Sequence, residues 1–172
     1  AEDVILFHDA STTALAKESI ELCKVKNLRR VLMGDAGQAE EAGALSYDTL
    51  LDKASAQADW SVDDEKSAAM LCYTSGTTGD PKGVLFSHRS TILHAYAGCM
   101  PDAFAICTAD VLMPLVPMFH ANCWGLPYRA ALAGSKQVMT GSDLAPARMV
   151  RLANEEGVTF SAGVPTIWLG VR

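Results

Sequence analysis

No apolar run in this sequence approaches the roughly 20 residues that a membrane-spanning helix needs. The longest, Val111 to Phe119, is broken by Pro114 and Pro117. The chain opens on Ala1-Glu2-Asp3 rather than on a basic segment followed by an apolar one, so it shows no signal-peptide pattern. Cysteine is sparse and badly spaced for cross-links: Cys23, Cys72, Cys99, Cys107 and Cys123 are odd in number and contain no CxxC pair. That excludes a disulfide framework and a zinc-finger site, and makes a reducing cytoplasm the expected compartment. Positive charge is also short, because 14 Lys and Arg face 20 Asp and Glu for a net charge of −6. A diffusely acidic surface does not suit nucleic acid, whose phosphates need clustered cations. The densest basic cluster, Lys24-Lys26-Arg29-Arg30, lacks the interleaved aromatics of a nucleic-acid face. His8, His88 and His94 have no metal-site spacing, and neither internal repeats nor low-complexity tracts occur.

What is present suits one globular domain. At 172 residues and 49% apolar composition, the chain is long enough to bury a sizeable core. Short apolar runs alternate with segments of helical period. Strands are predicted over Val4–Phe7, Arg30–Met33, Ala68–Tyr73, Val84–Ser87, Val111–Val116, Gln137–Thr140 and Val158–Ala162. Between them, Ser11 and Thr12 offer caps for a helix in which Leu15, Leu22 and Lys26 recur. Gly34-Asp35-Ala36-Gly37 reads as a stop, and Ser46–Ala54 as a short helix. Further helices are predicted from Ser87 towards Met100, over Trp124–Ala133, from Pro146 to before Gly157, and from the Gly163–Thr166 turn towards Arg172. Residues 55–67 are rich in Asp and Ser and read as a loop or linker, with Asp63-Asp64-Glu65 a solvated acidic run. Strands spaced by helices predict an α/β fold, a mostly parallel sheet flanked by helices.

The most informative segment is Tyr73-Thr74-Ser75-Gly76-Thr77-Thr78-Gly79-Asp80-Pro81-Lys82-Gly83-Val84. Its glycines let backbone approach a ligand closely, its hydroxyls are donors, and Lys82 adds one mobile positive charge. Such a set can cradle a polyphosphate. It is not the GxxxxGK[ST] loop: Lys82 follows Pro81, Gly83 takes the Ser/Thr place, and a strand follows where that motif needs a helix. The phosphates would sit on a strand–loop–strand hairpin. By composition alone the tract is equally a surface turn.

In order, flanks and single lysine, this tract resembles the phosphate-binding motif of the adenylate-forming (AMP-binding) superfamily of acyl-CoA synthetases, luciferases and peptide-synthetase adenylation domains. Val116-Pro117-Met118-Phe119-His120 resembles that family's next motif. Ala121-Asn122-Cys123-Trp124-Gly125-Leu126-Pro127-Tyr128, Ser87–Thr91 and Val158–Thr166 are similar to the medium- and long-chain fatty acyl-CoA synthetases. The likeness is nearly continuous from Ala68 to Thr166, and looser over the first 60 residues.

The resemblance implies an incomplete large N-terminal domain over residues 1–172, working in two steps with a fatty acid, ATP, Mg²⁺ and coenzyme A. Thr74, Ser75, Gly76, Thr77, Thr78, Gly79 and Lys82 would hold the β- and γ-phosphates, with Thr74 also a contributor to Mg²⁺. Lys82 and His120 are the catalytic candidates. His120, Trp124, Gly163, Val164, Pro165 and Thr166 would border the acyl group, at a strand end where α/β sheets place ligands. Taken singly, Lys82 also reads as an idle surface lysine, His120 as a boundary residue and Trp124 as a core aromatic. The family's Tyr-Gly-x-Thr-Glu segment, ribose-binding Asp and C-terminal lid have no counterpart in these 172 residues. The expectation is therefore that this stretch alone does not complete adenylation. An aryl-acid ligase, an adenylation domain, a non-catalytic binding remnant, and a homodimer of the full-length enzyme all remain open from sequence.

Overall fold

The computed structural model describes residues 4–23, 27–75, 79–141 and 143–171. Lys24, Lys26, Gly76, Thr77, Thr78 and Arg172, to which expectations were attached, lie outside the described residues. Two compact units divide the chain between Ser61 and Val62.

In the first unit, β1 (Ile5–His8), β2 (Arg29–Leu32) and β3 (Leu45–Ser46) form a parallel sheet in the order β1-β2-β3, with Phe7 beside Val31 and Leu32 beside Ser46. Asp9, rather than Ser11 or Thr12, caps the turn after β1. Its carboxylate accepts from the Ser11 N–H at 2.9 Å and begins a 3-10 turn that runs into α1 (Thr13–Cys23). The predicted stop at Gly34–Gly37 is instead the start of α2 (Ala36–Ala42), because Asp35 accepts from the Gln38 N–H at 2.9 Å and supplies an N-cap. Gly43, at φ 63°, closes that helix in the left-handed region. Ser46 caps α3 (Tyr47–Lys53) in the same way. The buried centre is Leu32 with Ala39 and Ala42.

The second unit opens with the expected hairpin. Strands β4 (Ala68–Thr74) and β5 (Lys82–Ser87) are antiparallel, and Thr74 opposite Lys82 is the last pair before the loop. Both residues were expected in the loop. Pairing extends further because the extended backbone of each satisfies the other's polar groups. Ser87 and Ser90 exchange side-chain and backbone bonds at 3.0 and 3.1 Å, a capping box that starts α4 (His88–Cys99).

Next come β6 (Val111–Pro114), α5 (Leu126–Ala133), β7 (Lys136–Gln137), α6 (Pro146–Glu156), β8 (Phe160–Ala162) and α7 (Pro165–Gly170). The sheet order is β7-β6-β8, all parallel. Alternation along the central strand serves both faces: Leu112 and Val116 pack with Cys123, Leu126 and Ala130, while Met113 and Leu115 pack with Val138 and Met149. Burying a side chain such as Leu112, 1% exposed, contributes roughly 1.5–3 kcal/mol. Parallel sheets flanked by helices, with one antiparallel hairpin, make this an α/β fold.

One prediction fails in an informative way. The helix expected to begin at Trp124 begins at Leu126, after a left-handed turn, Ala121–Trp124, closed by Gly125. Its φ values are 45°, 53°, 57°, 52° and 71° for Ala121, Asn122, Cys123, Trp124 and Gly125. Left-handed backbone costs non-glycine residues roughly 1–2 kcal/mol each, so surrounding contacts must hold this turn.

Candidate active site

The hairpin end presents Thr74, Ser75 and Lys82 to solvent. Thr74 Oγ1 donates to the Lys82 carbonyl at 3.4 Å, a long bond that leaves the hydroxyl oxygen's lone pairs available. Gly79 has φ 137°, a conformation that L side chains rarely adopt. Lys82 forms no salt bridge among the described residues. Thus a cation and hydroxyls stand at the mouth of the loop.

His120 is exposed directly before the left-handed turn, and its ring meets that of Trp124 edge-on, with centroids 6.4 Å apart. The turn is tied down at two points. Cys123 Sγ donates to the Val116 carbonyl at 2.8 Å, and Cys72 Sγ donates to Asn122 Oδ1 at 3.2 Å. The second bond joins β4, two residues before Thr74, to the turn two residues after His120. A further link runs from Tyr128 Oη to Met70 Sδ at 2.6 Å. The β4–β5 hairpin is therefore bonded to the His120 segment.

Gly163, Val164, Pro165 and Thr166 follow β8 at the same sheet edge from which the His120 segment leaves β6. The Leu115 N–H donates to the Ala162 carbonyl at 2.9 Å, so the two exits lie side by side. A Cβ at Gly163 would come within 3.1 Å of Leu115 Cβ, and the Gly163 carbonyl accepts from Trp168 Nε1 at 3.1 Å. Glycine there lets the two strand exits approach.

Between the hairpin, α4 and the left-handed turn lies a cavity of about 350 Å³. Met70, Phe86 and Ala121 give it apolar wall, and Ser90, Thr91, His94, Asn122, Gly125 and Tyr128 add polar atoms and open backbone. Burial, followed by the Arg129 charge, lowers the His94 pKa from its ordinary value. Burial raises those of Tyr128 and Cys123. These groups are thus neutral near pH 7. Among the described residues no three His, Cys, Asp or Glu side chains gather to hold a metal. Thr74 supplies a single hard oxygen, compatible with a Mg²⁺ that keeps waters and phosphate oxygens as its other ligands.

The AMP-binding enzyme family matches residues 1–171. The chain belongs to that family. It is 45% identical over 99% of its length to a 3-methylmercaptopropionyl-CoA ligase of Ruegeria lacuscaerulensis, covering 32% of that protein. It is 43% identical over 99% of its length to a medium-chain-fatty-acid–CoA ligase of Ectopseudomonas oleovorans, again covering 32% of it. The chain thus spans about a third of the length of these curated relatives. Among solved structures, a luciferase-like enzyme from the mealworm Zophobas morio superposes with a TM-score of 0.77 at 17% identity, over 98% of this chain and 37% of that one. That likeness shows the fold.

In this AMP-binding chain, sequence reasoning passed over His94 and Arg129. Arg129, 4% exposed, lies in α5 with Nη2 2.8 Å from His94 Nε2 and its guanidinium carbon 4.9 Å from the centre of the Phe104 ring. A charge inside the apolar stretch Leu126–Ala133 was the visible signal. Its partner, 35 residues earlier, left none.

Proposed function

We propose that the protein carrying this chain is an ATP-dependent acid–thiol ligase that joins a fatty acid to coenzyme A through an acyl adenylate. In the first step a carboxylate oxygen attacks the α-phosphorus of ATP and the bond to pyrophosphate breaks. In the second, the CoA thiolate attacks the acyl carbon and AMP leaves, giving the thioester. The adenylate is a mixed anhydride, which turns a poor electrophile into a good one.

The observation that carries this reading is the bond from Cys72 to Asn122, which ties the phosphate-loop hairpin to the His120 turn. In the proposed reaction an ATP-like group and a carboxylate would meet between these two elements. Carboxylate and triphosphate repel one another, and the departing pyrophosphate gathers negative charge. A preorganised cation and hydroxyl donors offset both effects. Lys82, Thr74 and Ser75 stand where they can do so, with Gly76, Thr77, Thr78 and Gly79 completing the loop in sequence. Thr74 would help hold Mg²⁺, which would supply positive charge against that of the phosphates. His120 and Trp124 would flank the carboxylate end of the acid, and Gly163–Thr166 would border the opposite wall. The names of the two relatives, both CoA ligases, support the reaction class.

The test is acid-dependent exchange of radiolabelled pyrophosphate into ATP by the full-length protein. Exchange with medium- or long-chain fatty acids supports the reading. No exchange with any carboxylic acid, from protein shown to be folded, would rule it out.

A further inference from the structure

Arg129 holds a positive charge that nothing among the described residues balances. It is 4% exposed, its guanidinium carbon stands 4.9 Å from the centre of the Phe104 ring, and it forms no salt bridge among the described residues. Nη2 donates to His94 Nε2 at 2.8 Å, since an arginine can only donate. Nε and Nη1 are buried and have no partner among the described residues. A buried cation with idle donors is costly, and an anion within their reach would offset much of that cost.

Cys99 is the neighbour that can become that anion. Gly98, the residue before it on α4, lies so close to Arg129 that a Cβ there would collide with Nε, Cδ and Cζ. Cys99 Sγ donates to the Arg129 carbonyl at 3.9 Å, a long and weak bond. The thiol is also near enough to act on the guanidinium: burial lowers the Arg129 pKa, and negative charge on Cys99 opposes that shift. Cys72 and Cys123 are buried and donate to Asn122 Oδ1 and the Val116 carbonyl, while Cys23 and Cys107 are exposed. Cys99 combines partial exposure with a buried arginine beside it.

We propose that Cys99 is a site of oxidation by hydroperoxides, and that the idle Nε and Nη1 donors of Arg129 hold the oxygen the thiol acquires. The Cys99 sulfur attacks one peroxide oxygen. The S–O bond forms as the O–O bond breaks, and the departing oxygen leaves with the electron pair and takes up the thiol's proton. Sulfur is oxidised and the peroxide reduced, so that the thiol and hydrogen peroxide give a sulfenic acid and water. The sulfenic acid ionises to a sulfenate, whose oxygen is the anion that Arg129 lacks. A neighbouring cation favours attack by a thiolate, and a charge-assisted bond to the sulfenate stabilises the product. Neither Cys99 nor Arg129 lines the cavity beside the left-handed turn, so this site lies outside the ligase chemistry and does not depend on it.

The experiment exposes the reduced full-length protein to hydrogen peroxide in the presence of dimedone, a carbon acid that traps sulfenic acids. Labelled peptides are quantified by mass spectrometry over time. Cys99 is expected to be labelled about 10-fold faster than Cys107, the scale of one hydrogen bond to a charged group, although Cys107 is the more exposed thiol. In Arg129→Met, similar in length but uncharged, Cys99 labelling falls to the Cys107 rate while Cys107 keeps its own. Arg129→Lys keeps a charge without the planar fork, and Cys99 retains part of its lead. Circular dichroism reports whether each variant is folded. Cys107 labelled as fast as Cys99 in the unaltered protein overturns the proposal, as does Cys99 labelling that is unchanged in folded Arg129→Met. If Arg129→Met does not fold, Arg129→Lys decides: a reduced Cys99 lead supports the arginine's role, and an undiminished one overturns it.

Discussion

Gly98 on α4 makes room for Arg129 on α5: a Cβ at residue 98 would lie in steric conflict with Arg129 Nε, Cδ and Cζ. The missing side chain at residue 98 leaves the space that the Arg129 side chain fills. Gly98→Ala is therefore expected to destabilise the protein by about 1–3 kcal/mol, the usual cost of overpacking a close contact. The cost should largely vanish in an Arg129→Ala background, where the space is already free. Denaturant unfolding of the four members of this double-mutant cycle measures the coupling. Additive effects would show that the clash is relieved elsewhere.

Asn122 is the second strained point. At φ 53° it adopts a conformation that asparagine tolerates better than most residues, and its side chain also accepts from Cys72. Asn122→Ala loses both features and should cost about 2–3 kcal/mol, combining the left-handed penalty with a lost partly buried hydrogen bond. Asn122→Gly relieves the backbone and loses only the bond, so about 1 kcal/mol is expected. Thermal or urea unfolding of the pair checks the order. Equal losses would mean that the hydrogen bond alone holds the turn.

The contrast between these residues shows what the chain discloses in advance. The hairpin was legible because Ala68–Tyr73 and Val84–Ser87 flank a Gly-rich tract, and the central strand because Val111–Val116 is apolar on both faces. Helix α2 was not, because what it places in the buried centre is small, Ala39 and Ala42, and two glycines suggested a stop. The left-handed turn was invisible because periodicity reports which side chains are apolar and not the sign of φ. Family resemblance pointed to Lys82, His120 and the 163–166 turn. The His94–Arg129 bond depends on two helices meeting, 35 residues apart, and no local pattern encodes that.

His94 also gives a pH signature. Burial and then the Arg129 charge hold its pKa below the ordinary 6.5. Above that value both folded and unfolded chains carry a neutral ring, and the full contribution of the folded contact is present. As pH falls below about 6.5 the unfolded ring binds a proton while the folded one does not, so stability declines until the lower folded pKa is reached. The melting temperature of the protein should therefore fall more between pH 7 and pH 5 than that of His94→Gln. Asp9, Asp59 and Asp110, whose pKa values are lowered by hydrogen bonds, act at more acidic pH and are shared by both proteins. Parallel curves would mean that the ring titrates freely.

Lys82 and Thr74 separate the roles of charge and hydroxyl at the loop mouth. Lys82 is exposed and forms no salt bridge among the described residues, so Lys82→Ala should fold with little change in stability. If its ammonium meets the charge that develops on pyrophosphate, kcat for exchange should drop by about 10²-fold, the scale of losing one preorganised electrostatic contact. KM for the acid should move little if, as proposed, the acid meets the α-phosphorus rather than the departing pyrophosphate. Lys82→Arg keeps the charge but offers a planar fork in place of a compact ammonium, and should recover only part of the rate. Thr74→Val is close in shape and suits a strand, so the hairpin should persist while one hydroxyl is lost. It should raise the Mg²⁺ concentration needed for half-maximal exchange if Thr74 contributes to the cation. Steady-state exchange across a Mg²⁺ titration reads both effects. An unchanged kcat in Lys82→Ala would remove the lysine from the phosphate site.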